Sequence, residues 1–225
     1  MATCKLCDKS GWLLRVSAEG LCRECQPVYE LDIRERGRVV ESSVDIISKS
    51  KNLGTILSRI DLVLEHLNAL HEYEERGIPT FSTLPSEGIK KCKATKSEAV
   101  VSHFREQLVT ARQKAKNATT LAGHIGPLSK IIEGLTKYRT ELDDLTELEA
   151  LETDVQTEIC TNTADFYIEA GQKAEFKGQK KKALDQYLEA LFALRHDVID
   201  DALQQDRIKE VEGRILALGS EVPPA

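Results

Sequence analysis

From about residue 28 onward, apolar residues recur at helical rather than strand intervals. Tyr29, Ile33, Val40, Val44 and Ile47 form a rough stripe between residues 28 and 50, with Gly37 inside it weakening the case for one unbroken helix. Asn52-Leu53-Gly54 interrupts the pattern. A stronger seam then runs to Arg76-Gly77, where Ile56, Ile60, Val63, Leu67 and Leu70 alternate spacings of 4 and 3, and Leu57 and Leu64 widen the face as a bundle requires. Residues 77–94, with Pro79, Pro85 and several turn formers, read as a linker. Thr95 and Glu98 match a capping box, opening a helix through Val101, Phe104, Leu108, Ala111, Ala115, Ala118 and Ala122. The stretch from Gly123 to Pro127 reads as a stop. The next seam, Leu128, Ile131, Leu135, Tyr138, Leu142 and Leu145, slips in phase and resumes at Leu148, Leu151, Val155 and Ile159. Two long seams joined by a short turn predict an antiparallel helical hairpin, closed within one chain or between two.

Residues 1–27 follow no such period. Cys4, Cys7, Cys22 and Cys25 form two C-x-x-C pairs, one on each side of residues 8–21, while Cys92 and Cys160 stand alone. Paired thiols at this spacing match a structural zinc site, in which four thiolates close a tetrahedron. Between the pairs, residues 11–16 read as a strand and Ser17-Ala18-Glu19-Gly20 as a turn, giving a short hairpin that carries the metal knuckle. A first knuckle, a hairpin, and a Gly-Leu-Cys-x-x-Cys turn leading into a helix resemble a treble-clef or zinc-ribbon finger over roughly residues 1–30. The resemblance implies one structural Zn2+ and leaves the partner open, since such modules serve nucleic-acid or protein contacts. Two disulfides, a redox C-x-x-C and a catalytic zinc are the alternatives. They would need, in turn, an oxidising compartment, a βαβ setting and an open coordination position.

The C-terminal texture differs again. Tyr167, Ala170, Gly171, Ala174, Gly178, Ala183, Tyr187 and Ala190 place small and large residues as a tetratricopeptide unit does. Residues 164–197 resemble one such repeat, followed by a capping-type helix from about Asp197 to Leu218. Tyr167, Ala174 and Arg195-His196 depart from the family's pattern, and a plain αα-hairpin is the equal alternative.

Composition agrees with long helices: charged residues make up 30% of the chain and aromatics 5%, and net charge is −6. No apolar run is long enough to cross a bilayer, and the first residues carry no segment of signal-peptide type, so a cytoplasmic setting without membrane contact is expected. Charge is unevenly placed. Ile78 to Lys130 holds 9 basic and 3 acidic residues, net +6, whereas Ile131 to Asp165 holds 2 basic and 10 acidic, net −8. Lys90, Lys91, Lys93, Lys96, Arg112, Lys114 and Lys116 therefore serve internal or homotypic pairing, an acidic or nucleic-acid partner, or merely solvation. No aromatic residues interleave with them as stacking platforms. A second basic run, Lys177 to Lys182, sits at the proposed interhelical turn.

Motifs for phosphate cradles, nucleophile elbows and H-E-x-x-H metal sites are missing from the sequence. His66 and His71, five apart, do not match paired-ligand spacing; with His103, His124 and His196 they read as surface or seam-edge groups. Cys92 falls in a lysine-rich stretch that would lower its pKa, with an ordinary free thiol the safer reading. The chain therefore reads as mainly α: a C4 zinc finger over residues 1–27, a helical bundle or coiled coil over 28–160, and a TPR-like hairpin, capping helix and tail over 161–225. The expected role is a non-enzymatic adaptor or assembly protein with protein partners, a second copy of itself among the candidates. A nucleic-acid-associated regulator using the finger and the 90–116 strip is the alternative.

Overall fold

The computed structural model describes residues 1–224. Two short antiparallel strands, β1 (Ala2–Thr3) and β2 (Ser10–Gly11), pair with Ala2 opposite Gly11 and Thr3 opposite Ser10. Seven helices follow among the described residues: α1 (Cys25–Lys49), α2 (Leu53–Glu75), α3 (Pro85–Lys116), α4 (Leu121–Tyr138), α5 (Thr146–Phe176), α6 (Lys180–Arg195) and α7 (Asp201–Ala217). The protein is mainly α with a small N-terminal hairpin. It divides into two compact units, Met1–Val100 with Leu142–Asp144, and Val101–Glu141 with the chain from Leu145 onward. No helix among the described residues is long and apolar enough to cross a membrane.

In the first unit, α1 and α2 form a helical hairpin. Asn52 caps α2 by accepting a hydrogen bond from the Thr55 N–H at 2.9 Å. Leu53, Leu57, Ile60, Val63, Leu67 and Leu70 are buried, so the seam expected from spacing is the core face of α2. Helix α1 runs through Gly37 without a break. The Phe81 ring lies 3.2 Å from where a Cβ at Gly37 would stand, so the glycine makes room for an aromatic neighbour rather than ending a helix.

The linker expected over residues 77–94 shrinks to residues 76–84, and Thr95 lies inside α3 rather than capping it. The reason is tertiary. Pro85 needs no N–H partner in a first turn. The next N–H, on Ser86, donates to the Glu74 carboxylate at 2.9 Å, and the Ser86 hydroxyl donates to its other oxygen at 2.6 Å. A carboxylate from the preceding helix thus caps α3, which no local capping pattern can reveal. Ile89 and Cys92 complete the packing by reaching the Val63–Leu67–Leu70 cluster.

In the second unit, Val101, Phe104, Leu108, Ala111 and Ala115 bury the face of α3 that their spacing predicts. Helix α4 starts at Leu121, ahead of the expected stop: Thr120 accepts from the Gly123 N–H, and Pro127 is carried inside the helix. The one backbone bond that Pro127 removes is offset by burial of Leu128, Ile131 and Leu135. Helix α4 then ends at Tyr138, so Leu142 and Leu145 belong to the connection into α5. The slip in the heptad is therefore a chain reversal, not a phase break within one helix. The seam after Gly123–Pro127, expected as one arm of a hairpin, is thus split over α4 and α5, which pack antiparallel to each other, with Arg139 pairing with Glu149.

Helix α5 is unbroken over 31 residues, and residues 160 and 161, taken from the sequence as a boundary, lie inside it. The change to alanines and glycine marks a closer neighbour rather than a break. Ala164, Ala174, Ala183, Tyr187, Ala190, Leu191 and Leu194 form one core with Ile208, Val211 and Ile215 of α7. A Cβ on Gly171 would stand 2.7 Å from the Tyr187 ring, so this tyrosine fits only against a glycine. The Tyr187 hydroxyl donates to Glu175 at 2.8 Å, closing the α5–α6 hairpin beside the Gly178 turn.

Candidate metal centre

The site begins with two tight turns. Cys4 follows β1; its N–H donates to the Lys9 carbonyl at 2.9 Å, and Asp8 donates back to the Cys4 carbonyl at 3.0 Å. Asp8 takes a φ of 57°, a left-handed value that Asp tolerates better than bulkier residues do. This reversal turns Cys7 toward Cys4. The second turn depends on Gly20, whose φ of 86° suits glycine and whose carbonyl accepts from the Lys5 N–H at 3.0 Å. Leu21 and Cys22 then enter the interior, and Cys25 is the first residue of α1.

The hairpin differs from the one expected. Residues 11–16 do not form a strand; β2 ends at Gly11, and only an isolated bridge joins Val16 to Cys22. Strand pairing flanks the first cysteine pair rather than lying between the pairs. Trp12 and Leu13, read from sequence as strand residues, protrude into solvent at 92% and 97% exposure.

The four cysteine sulfurs lie within 4.8 Å of one another, the one such ligand cluster among the described residues. Cys7 Sγ and Cys22 Sγ are 3.8 Å apart. That matches the edge of a tetrahedron with bonds of ~2.3 Å, which is ~3.8 Å. Cys4 and Cys22 are buried, Cys25 is half-buried, and Cys7 is the most open. The Cys22 N–H donates to Cys4 Sγ at 3.2 Å. Burial opposes ionisation of Cys4, but backbone N–H groups of Cys7, Cys22 and Leu6, with the Cys7 thiol, outweigh it and bring its pKa down to about 6. Cys25 moves the other way, to about 12, because it shares hydrogen bonds with the Cys22 thiol, is partly desolvated, and faces the other sulfurs. Backbone donors thus favour the Cys4 thiolate, while the neighbouring sulfurs oppose ionisation of Cys25. The donor set and its spacing fit a metal ion.

The tetrad rests on a small apolar base. Cys4, Leu21, Cys22, Tyr29 and Ile78 are buried together, with Leu6, Leu14, Ile33 and Tyr73 packed around them. Tyr29 and Tyr73 meet edge to face at 5.5 Å, and the Tyr29 hydroxyl donates to the Pro79 carbonyl. Arg76 donates to the Leu6 carbonyl at 2.7 Å, and the Lys5 ammonium donates to the Gly77 carbonyl. These supports come from α1, the last turn of α2 and the residues that follow it. Their only sequence signals are the aromatic and basic residues flanking Gly77.

The other candidates lie apart from the tetrad. His66 meets Arg36, His71 meets Glu74, His103 meets Gln107, and His196 stacks on Phe192. Cys92 is on α3 rather than in a loop, and burial pushes its thiol up instead of the lysines pulling it down. Cys160 is half-buried on α5. In the basic strip, Lys93 pairs with Asp143 at 3.2 Å, Lys96 with Asp61 at 2.8 Å and Arg112 with Glu158 at 2.8 Å. Arg105, within the same stretch, pairs with Glu147 at 2.6 Å. Comparison with protein-family models, with curated proteins and with solved structures found no match to this chain.

Proposed function

We propose that this protein is a non-enzymatic adaptor of a reducing, cytoplasmic compartment, in which one structural zinc ion folds a finger of treble-clef or zinc-ribbon type and the helices present surfaces to protein partners. The observation that carries the reading is the tetrad of Cys4, Cys7, Cys22 and Cys25, all four sulfurs within 4.8 Å. Four thiolates fill a tetrahedral zinc and leave no position for water, which suits a structural rather than a catalytic ion. A segment of this size buries too little apolar surface to fold unaided, so the metal supplies the difference.

The helical body supports a scaffold role through its tight internal packing, with residues 164–197 read as a single TPR-like hairpin. Three members of the 90–116 basic strip already meet carboxylates, which favours internal pairing over nucleic-acid contact. Metal analysis of the purified chain is expected to give one zinc per chain, falling well below one in Cys22→Ser. Most of the helical signal should remain in that variant. A wild-type chain without zinc overturns the reading.

A further inference from the structure

The first unit carries a knob and a hole that do not fill one another. The knob is Trp12-Leu13, two large apolar side chains almost wholly in solvent. It stands on a preorganised base, because β2 ends at Gly11 just before it and the cysteine turns hold the loop from behind. Arg15 and Arg23 flank it, and neither makes an ion pair among the described residues. Trp and Arg are the side chains most enriched where binding energy concentrates in interfaces.

The hole is an apolar groove of about 420 Å³ between α1 and the 81–95 segment. Val40, Val44 and Ile47 form one wall, Val63 and Leu67 the floor, and Leu84 part of the rim. Val44 and Leu84 are half-exposed there, so the groove presents apolar surface to water. Its single charged lining group is Lys91, an ammonium over which an indole face can lie. Glu41 and Glu87 adjoin the lining residues Val40 and Gly88; both are exposed and unpaired among the described residues. Small-molecule clefts usually add several convergent polar groups to an apolar lining. This groove sets a few hydroxyls, the Cys92 thiol and Lys91 in an apolar lining, which suits an apolar knob.

We infer that the groove seats the Trp12-Leu13 knob of a second copy of this chain, with Arg15 and Arg23 of one copy facing the Glu41 and Glu87 carboxylates of the other. Knob and groove match in apolar character, and their rims match in charge. Each chain has both parts, so a two-fold arrangement makes the contact twice and an open arrangement makes chains longer than two. A paired contact on the order of 1,000 Å² lies at the low end of specific interfaces, among weak and transient ones. The inference rests on the reading of residues 1–27 as a metal-held module and names a partner for it.

The chain has one tryptophan, so its fluorescence reports the knob alone. Zinc-loaded full-length protein is followed by light scattering and tryptophan emission across roughly 1–200 μM, a span bracketing micromolar affinity. The expected result is mass rising above one chain while emission shifts to the blue, with a shared midpoint. Trp12→Ala and Val44→Glu each weaken association at least tenfold. Both sites are exposed, so helical signal and zinc content remain as in wild type; Leu84→Asp is the second groove variant. Adding Trp12→Ala, whose groove is intact, to Val44→Glu, whose knob is intact, restores the blue shift. A zinc-loaded chain that stays single with unshifted emission overturns this inference alone. So does association that survives both variants. Association through Trp12 in a chain lacking zinc keeps it and overturns the metal reading.

Discussion

Two regions of this protein solve the same problem, closing a short piece of chain on itself, by opposite means. Residues 1–27 have four sulfurs, two reversals and a base of a few apolar side chains. The α5–α6–α7 region has Ala164, Ala174, Ala183 and Ala190 packed around Tyr187, with leucines beside them. In the first, geometry converges four thiols that could hold one metal ion between them. In the second, it is set by shape: a ring that fits only because Gly171 has no side chain. Directional sites fail all at once when one ligand goes. Packed sites lose stability in proportion to the volume removed.

The sharpest way to break this comparison is to remove the metal. Structural zinc contributes apparent free energies of about 10–16 kcal/mol in small finger peptides. Chelation is therefore expected to unfold residues 1–27 outright while α5–α7 keep their amide-exchange protection, as mapped by hydrogen exchange. Acid should act as chelation does, because ligand thiols must be deprotonated. With its pKa down at about 6 before metal binds, Cys4 is a ligand thiol that already favours the ionised form at pH 7.5. Zinc binding should therefore release about one more proton per chain below pH 6 than at pH 7.5. Calorimetry in buffers of different ionisation enthalpy counts them. A constant count over that range breaks the assignment of Cys4 as the pre-ionised ligand.

Next in size is Tyr187→Ala. Emptying a fully buried aromatic site costs about 3–5 kcal/mol. The midpoint of thermal unfolding should fall accordingly, with zinc content unchanged; loss of zinc in this variant would mean the two regions are not independent.

A smaller effect is expected from Glu74→Ala, which removes the cap on α3. Amide exchange in the first turn of α3 should rise roughly five- to tenfold, with little change elsewhere. The Glu74 carboxyl is held below the usual carboxylate range by the Ser86 hydroxyl and N–H, with His71 adding to the effect. Its contribution is therefore fully present above the ordinary carboxylate pKa and lost as pH falls through the lowered value. The smallest effect belongs to Arg112 and Glu158. A double-mutant cycle on this exposed pair should return about 0.2–1 kcal/mol of coupling, falling with salt.

What could be read from the sequence follows the same division. The tetrad was legible because all four ligands lie between Cys4 and Cys25, and thiol spacing is a local property. The buried faces of α2 and α3 were legible because Val63, Leu67 and Leu70, or Phe104 and Leu108, repeat at helical spacing. Helix ends were not. Leu142 keeps heptad spacing past the end of α4 because it is buried in the connection, so the period alone overran the turn. Pro85 starts a helix because Glu74, on the helix before it, supplies the cap. Trp12 and Leu13 were read as strand because apolar neighbours suggest a ladder, whereas there the backbone is set by cysteine turns. In each case the deciding partner lies outside the window in which the pattern is read.

Cys25 belongs to two structures at once. It is a member of the tetrad and the first residue of α1, a helix of 25 residues whose preceding residue, Glu24, makes no side-chain cap. At ~1.5 Å per residue, that helix is a rod roughly 37 Å long. A tetrathiolate zinc carries a formal charge of −2, and it would lie at the end of the rod where the peptide dipoles are positive. A metal held by the tetrad would anchor the foot of the rod as well as residues 1–27. The direction in which α1 leaves the finger is written in the coordination sphere, and a chelator would let go of both together.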